Sequence, residues 1–324
     1  MRELTYWQAL NETFFQILNR DEKVFMIGQG VNSPWYVGRT TEGLCERFGE
    51  ERIIDTPVSE CSITGSAVGA ALAGMRPIVI HPRMDFMYYA FDPIINHAAM
   101  WYFMFGSNKS VPLTIWAIIN RGGEQSAQHS QSLQAIFAHV PGLKVVMPST
   151  PFDAKGLLVS AVKDDNPVLF IDDRWLYEEK GEVPEELYSI PIGKGIVRKK
   201  GADVTIVANS YVVKKAIEAA EILTRDAIQA EVIDLRSIKP LDKNLIFESV
   251  KKTGKLVVVD AGWKTCGLAA EISALIAEGV FSFLKSPIIR VTLPDAHAPA
   301  SIALEQEYYI KSIDIVSAVK RAVK

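Results

Sequence analysis

The stretch RIIDTPVSECSITGSAVGAALAGMRPIVI, residues 52–80, holds a complete strand–helix–strand unit. Arg52–Asp55 is a short run with an apolar centre, and Pro57 closes it off. Ser62–Ala73 follows with a helical pattern free of proline. Gly74 ends that helix, and Arg76–Ile80 is a second strand-like run. Gly65 and Gly69 are read as positions where the helix packs closely on the sheet.

The same alternation extends in both directions. Upstream, Thr5 and Gln8 have capping-box spacing, so the chain is expected to start with a helix. Trp7, Leu10, Phe14, Ile17 and Leu18 give that helix one apolar face, and the run Val24–Ile27 follows it. Downstream, Leu113–Ile119, Lys144–Met147 and Val168–Ile171 read as strands. Asp92–Phe105, Leu133–Val140 and Asp153–Val162 read as helices, with Pro151 suited to a first helical turn. Apolar strands alternating with helices imply a mainly parallel sheet covered on both faces.

The rhythm breaks at 178–201, which is rich in Glu, Lys, Gly and Pro and reads as a link. It resumes with DVTIVANS, a helix over 212–225, AEVIDLR, a helix near 241–252, KLVVVDAG, a helix over 268–284, IIRVTLPD and a last helix. The expected fold class is α/β, with two doubly wound domains at 1–185 and 195–324.

Composition excludes several functions. The net charge of −3 over 324 residues offers no basic surface for nucleic acid or an anionic membrane. No apolar stretch reaches membrane-spanning length. The opening MRELTYWQALNETFF lacks the apolar core of a signal peptide. Cys45, Cys61 and Cys266 form neither a disulfide framework nor a zinc spacing, so a reducing, cytoplasmic setting is expected. Neither domain carries a familiar phosphate-binding glycine loop.

Residues 52–80 closely resemble a known family. So do QHSQSLQAIFAHVPGLKVVMPSTPFDAKGLL at 128–158 and AEVIDLRSIKPLD at 230–242. The family is that of the β subunits of thiamine-diphosphate-dependent 2-oxo acid dehydrogenases, which act on pyruvate or branched-chain 2-oxo acids. The resemblance runs from end to end. It implies a pyrimidine-binding domain followed by a transketolase C-terminal-like domain. It also implies oxidative decarboxylation with acyl transfer to lipoamide. In that family an α subunit with a G-D-G…N motif holds the diphosphate and its magnesium, and this chain has no G-D-G. The implied assembly is two α and two β chains, with thiamine diphosphate between α and β and a lipoyl-bearing acyltransferase core as partner.

The resemblance also assigns residues. Glu60 matches the glutamate that hydrogen-bonds a ring nitrogen of the aminopyrimidine and so activates the cofactor. On its own terms an acid there would also complement a helix N-terminus. Phe86 matches an aromatic packed on the aminopyrimidine, although Tyr88, Tyr89 and Phe91 beside it make core packing a rival. His129, after the Gly-rich stretch at 121–123, matches an active-site histidine that assists acyl transfer. His139 is read as a helix-end residue. Leu113, Ala161, Val162, Asp164 and Asn166 match a structural potassium site, where the bland reading of DDNP is a turn. Arg236 is read as a packing residue.

Three departures stand out. Gln29 occupies a position where the family often has an acid credited with relaying protons between active sites. Residues 80–85, IHPRMD, and Trp116–Asn120 also differ from the usual pattern. They lie where substrate or the α chain is expected, which points to a divergent substrate. The alternatives are an acetoin-dehydrogenase or other transketolase-like β chain, and a non-catalytic assembly subunit.

Overall fold

The computed structural model describes residues 2–120, 123 and 125–324. Residues 121 and 122 of the expected Gly-rich stretch therefore lie outside the described residues. The chain opens on a strand, β1 (Arg2–Thr5), and not on the expected helix. The helix follows at Tyr6–Arg20, with the Thr5–Gln8 capping box formed in both directions. Next come β2 (Val24–Gly28), β3 (Ile53–Asp55), β4 (Arg76–His81), β5 (Thr114–Ile119), β6 (Lys144–Val146) and β7 (Val168–Asp173). β8 (Lys180–Val183) and β9 (Ile196–Lys199) fall inside the stretch read as a link. Their short length and charged composition hid them, and pairing with other strands supplies their order. β8 pairs antiparallel with β1. The remaining strands are β10 (Val204–Ala208), β11 (Ala230–Asp234), β12 (Ser237–Lys239), β13 (Leu256–Trp263) and β14 (Ile289–Leu293).

Two compact units result. One holds residues 2–120 and 136–192, and the other holds 123, 125–135 and 193–324. Residues 125–135 thus group with the second unit, which a division at 185 and 195 does not carry. The first unit has the parallel order β6-β7-β5-β4-β2-β3. The second has β14-β13-β10-β11-β9, parallel except for β9. β4, β5 and β7 are buried along nearly their whole length, as strands covered on both faces must be.

Two helix readings change. Asp92–Phe105 is a π-helical segment, Asp92–Ala99, running into a short helix, Met100–Met104. The helix Glu60–Leu72 buries Ile63, Thr64, Ala67, Val68 and Ala71. Gly65 and Gly69 lie on its other, exposed face, where an added Cβ meets nothing within 4 Å. They do not pack the helix on its sheet. The helical period puts the alanines and the branched residues on the sheet side instead.

Trp116, expected near substrate, is core. It is fully buried against Phe14, with ring centroids 4.9 Å apart. Its indole N–H donates to Asp172 Oδ2 at 3.0 Å, and the Tyr177 hydroxyl donates to the same oxygen at 2.7 Å. Burial pushes the Asp172 carboxyl up to about 7, against the pull of those two donors. A raised carboxyl pKa contributes stability at acid pH that is lost as pH rises through about 7. Asp172→Asn keeps both acceptor bonds and cannot ionise. Its melting temperature should therefore exceed that of the wild type at pH 8, and the gap should narrow as pH falls and close only below the ordinary carboxyl value of 3.8; a pH-independent difference would refute this. No described helix is long and apolar enough to cross a membrane.

Candidate active site

Doubly wound sheets bind ligands outside the carboxyl ends of their strands, where the strand order reverses. In the first unit the chain passes from β2 to β3 on one side and then returns to β4 on the other. The reversal lies between β2 and β4. A small cleft opens there, lined by Gln29, Glu60, Ile63, Ile80, His81, Pro82, Arg83 and Phe86.

Local backbone rules place each of these side chains. Gln29 directly follows β2, and the N–H of Gly30 donates to Asp55 Oδ1 at 2.7 Å, tying that turn to the end of β3. A Cβ on Gly28 would come within 2.6 Å of the Ile80 carbonyl, so glycine permits the close approach of β2 and β4. Glu60 is the first residue of the helix Glu60–Leu72 and is half-buried. Ser59 caps that helix without a side-chain bond, which leaves the N-terminal peptide groups directed at whatever enters the cleft.

His81 ends β4 and is buried, with Nε2 3.1 Å from Thr64 Oγ1. Burial lowers its pKa to about 4, so the ring is neutral near pH 7. Arg83 is also buried, and its Nη1 donates to the Pro82 carbonyl. Burial brings it down to about 10; Arg174 adds to that shift and Asp85 opposes it. It remains a cation at neutral pH. Phe86 is half-buried at the cleft, whereas Phe91 packs edge-on against both Tyr88 and Phe137. Phe91 is itself half-buried, and Phe86 lines the cleft.

The sequence-derived residues fall into three places. Glu60, Phe86 and Gln29 share the cleft. His129 belongs to the second unit, half-buried on a single 3-10 turn, Ala127–His129. His139 is exposed just after the helix Gln134–Ala138. The potassium set lies at the amino ends of β5 and β7, the opposite end of the sheet from the cleft. There the Leu113 carbonyl accepts from Val168 N at 3.0 Å, and that of Ala161 accepts from Asp164 N at 3.3 Å. Arg76 Nη1 donates to the carbonyls of Val162 and Asp164, both at 3.1 Å. Lys144 pairs with the Asp164 carboxylate, which also accepts from Asn166 N. The donor set suits a hard cation in kind, and each carbonyl keeps a second lone pair. Two protein cations already stand at the same turn.

Sequence reading assigned no role to His81 and Arg83. The signal was available, because residues directly after a buried parallel strand face the cleft of such a sheet. Arg236, at φ 55°, donates to the carbonyls of Lys194 and Gly195, in keeping with a packing role.

The cleft's donor set suits an aminopyrimidine: one carboxylate, one half-buried aromatic ring and apolar walls from Ile63 and Ile80. Residues 2–180 match the transketolase pyrimidine-binding domain, and residues 193–315 match the transketolase C-terminal domain. The acetoin:2,6-dichlorophenolindophenol oxidoreductase β subunit of Cupriavidus necator is 42% identical, over 100% of this chain and 98% of its own length. The pyruvate dehydrogenase E1 β subunit of Rickettsia felis is 41% identical over 98% of each chain. The 2-oxoisovalerate dehydrogenase β subunit of Bacillus subtilis is 41% identical over 99% of this chain and 98% of its own. A split-gene transketolase, solved as an inactive β4 tetramer, shares the fold, with a TM-score of 0.79 and 24% identity over 99% of this chain and 98% of that one. The chain therefore belongs to the β-subunit family of the thiamine-diphosphate-dependent 2-oxo acid dehydrogenases.

Proposed function

We propose that this chain supplies the pyrimidine half of a thiamine-diphosphate site whose diphosphate half, with its magnesium, belongs to an α subunit. The complex oxidatively decarboxylates a 2-oxo acid and passes the acyl group to lipoamide. The observation that carries this reading is Glu60, at a helix N-terminus in the cleft at the strand-order reversal, with Phe86 beside it. When bound, the cofactor supplies an electron sink for decarboxylation. Glu60 holds or shares a proton at the pyrimidine nitrogen. Phe86 orients the ring by offset stacking. Ile63 and Ile80 exclude water, which strengthens the Glu60 contact. His129 assists acyl transfer, the role its family match implies.

The expected partners are two α subunits with a second β chain, and a lipoyl-bearing acyltransferase core, in the cytoplasm. Calorimetric titration of thiamine diphosphate with magnesium tests the division of the site. Tight binding is expected only when α is present; tight binding to this chain alone would refute it. Acetoin is the second substrate reading: two acetoin oxidoreductase β subunits are 42% and 41% identical across nearly the whole chain, level with the pyruvate and 2-oxoisovalerate dehydrogenase β subunits at 41%. Turnover of a panel of 2-oxo acids and acetoin by the αβ complex separates the two.

A potassium ion is proposed at the turn formed by Leu113, Ala161, Val162, Asp164 and Asn166. Because Arg76 and Lys144 already neutralise that turn, its contribution is small. Exchanging sodium for saturating potassium should raise stability by about 1 kcal/mol, or about 2–4 °C for a unit of this size. Identical melting in the two salts would remove the ion from the proposal.

A further inference from the structure

The second unit repeats the logic of the first. Its chain passes from β10 to β11 on one side and then to β13 on the other, so its strand order reverses between β10 and β13. Asn209 follows β10, and Asp260 lies within β13 toward its carboxyl end. In a doubly wound domain that crevice is where a ligand would sit. Here a side chain of the same unit occupies it. Gln134 Nε2 donates to Asp260 Oδ1 at 2.7 Å, and Ser132 Oγ donates to Gln134 Oε1, also at 2.7 Å. Asp260 Oδ1 further accepts from Gly262 N at 3.2 Å and from Asn209 Nδ2 at 3.4 Å. Gln134, Asn209 and Asp260 are fully buried.

Two independent features mark a built socket. A Cβ on residue 262 would fall 2.8 Å from Gln134 Nε2, so a side chain there would push the amide off its acceptor. Three donors also converge on one carboxylate oxygen, which fixes the amide in position and orientation. Residues 130–133 have no regular secondary structure to hold them. The 3-10 turn bearing His129 precedes them, and this amide follows them within the second unit.

We infer that the crevice of the second unit serves as a socket for Gln134, and that the Gln134–Asp260 bond is a positioning device for His129. The inference rests on the proposed role of His129 in acyl transfer. Gln134 touches no reacting atom; it sets where the His129 turn stands, and geometry of that kind governs rate steeply.

The test uses the assembled αβ complex and the ratio of two rates: transfer to a lipoyl domain, and reduction of 2,6-dichlorophenolindophenol. Gln134→Met matches the side-chain length but cannot donate, and Gly262→Ala crowds the amide. Each should lower the ratio at least tenfold and speed amide exchange across residues 126–133. Native mass spectrometry should show the αβ complex intact in both variants, which a misfolded variant would not allow. An unchanged ratio in Gln134→Met, where His129→Ala lowers it, overturns the socket alone. An unchanged ratio in His129→Ala overturns the reading of His129, and the socket falls with it.

Discussion

Glu60→Gln in the assembled complex is expected to lower turnover by about 10²–10⁴-fold, the usual worth of a positioned acid–base group, while the subunits still assemble. Glutamine keeps the shape and the hydrogen-bonding reach of the side chain but has no proton to share. The competing role for Glu60 is electrostatic. A carboxylate in the first turn of the helix Glu60–Leu72 gains about 0.3–1 kcal/mol from the dipole. That amount is too small to unfold a unit whose core includes β4, β5 and β7. Steady-state turnover and native mass spectrometry on one preparation therefore separate the readings. Lost turnover with intact assembly supports activation by Glu60, and near-normal turnover would remove the central claim.

Gln29 sharpens what that experiment measures. It lines the same cleft as Glu60, at the position where an acid is common in the family. Two carboxylates in one cleft would couple, with one held protonated. With an amide at 29, Glu60 is the one carboxylate among the residues lining the cleft. The other polar neighbours are a neutral His81 and a cationic Arg83. Gln29 cannot ionise, which puts a proton relay through residue 29 in doubt, whereas the activation proposed for Glu60 needs nothing from it.

The architecture was legible because the information was local. Buried parallel strands such as Arg76–His81 announce themselves as apolar runs, and the helix after Thr5 by its capping box. β8 and β9 were not legible, since their order comes from partners distant in sequence. The facing of Gly65 and Gly69 was misread because a glycine marks close approach without saying to what. In the site, Glu60 and Phe86 were found through a motif, and the cleft brings them together. His81 and Arg83 needed the strand order, because only the reversal between β2 and β4 shows which strand ends face a ligand. The grouping of 125–135 with the second unit goes with contacts distant in sequence, such as Gln134 with Asp260, 126 residues apart, which no local pattern encodes.

The largest stability effect is expected at Lys155, a lysine within the helix Pro151–Lys163 whose side chain is wholly buried. Its ammonium pairs with Glu12 and donates to the carbonyls of Pro184 at 2.8 Å and Glu185 at 3.1 Å. These bonds join the helices Tyr6–Arg20 and Pro151–Lys163 to the segment after β8. Lys155→Met fills nearly the same volume, so the cost is electrostatic and not that of a cavity. It strands two carbonyls and one side of the Glu12 carboxylate, and breaking a buried pair in this way costs about 3–5 kcal/mol. Glu12 retains Arg2 and is a fifth exposed, which places the loss at the lower end. About 3 kcal/mol corresponds to a fall of about 6–12 °C in the melting of the first unit. Adding Glu12→Gln should recover part of that loss, because the stranded charge is then gone. A shift below about 2 °C in the single variant, within the range of ordinary surface substitutions, would mean that water replaces the ammonium and that the buried cation is not what ties these elements together.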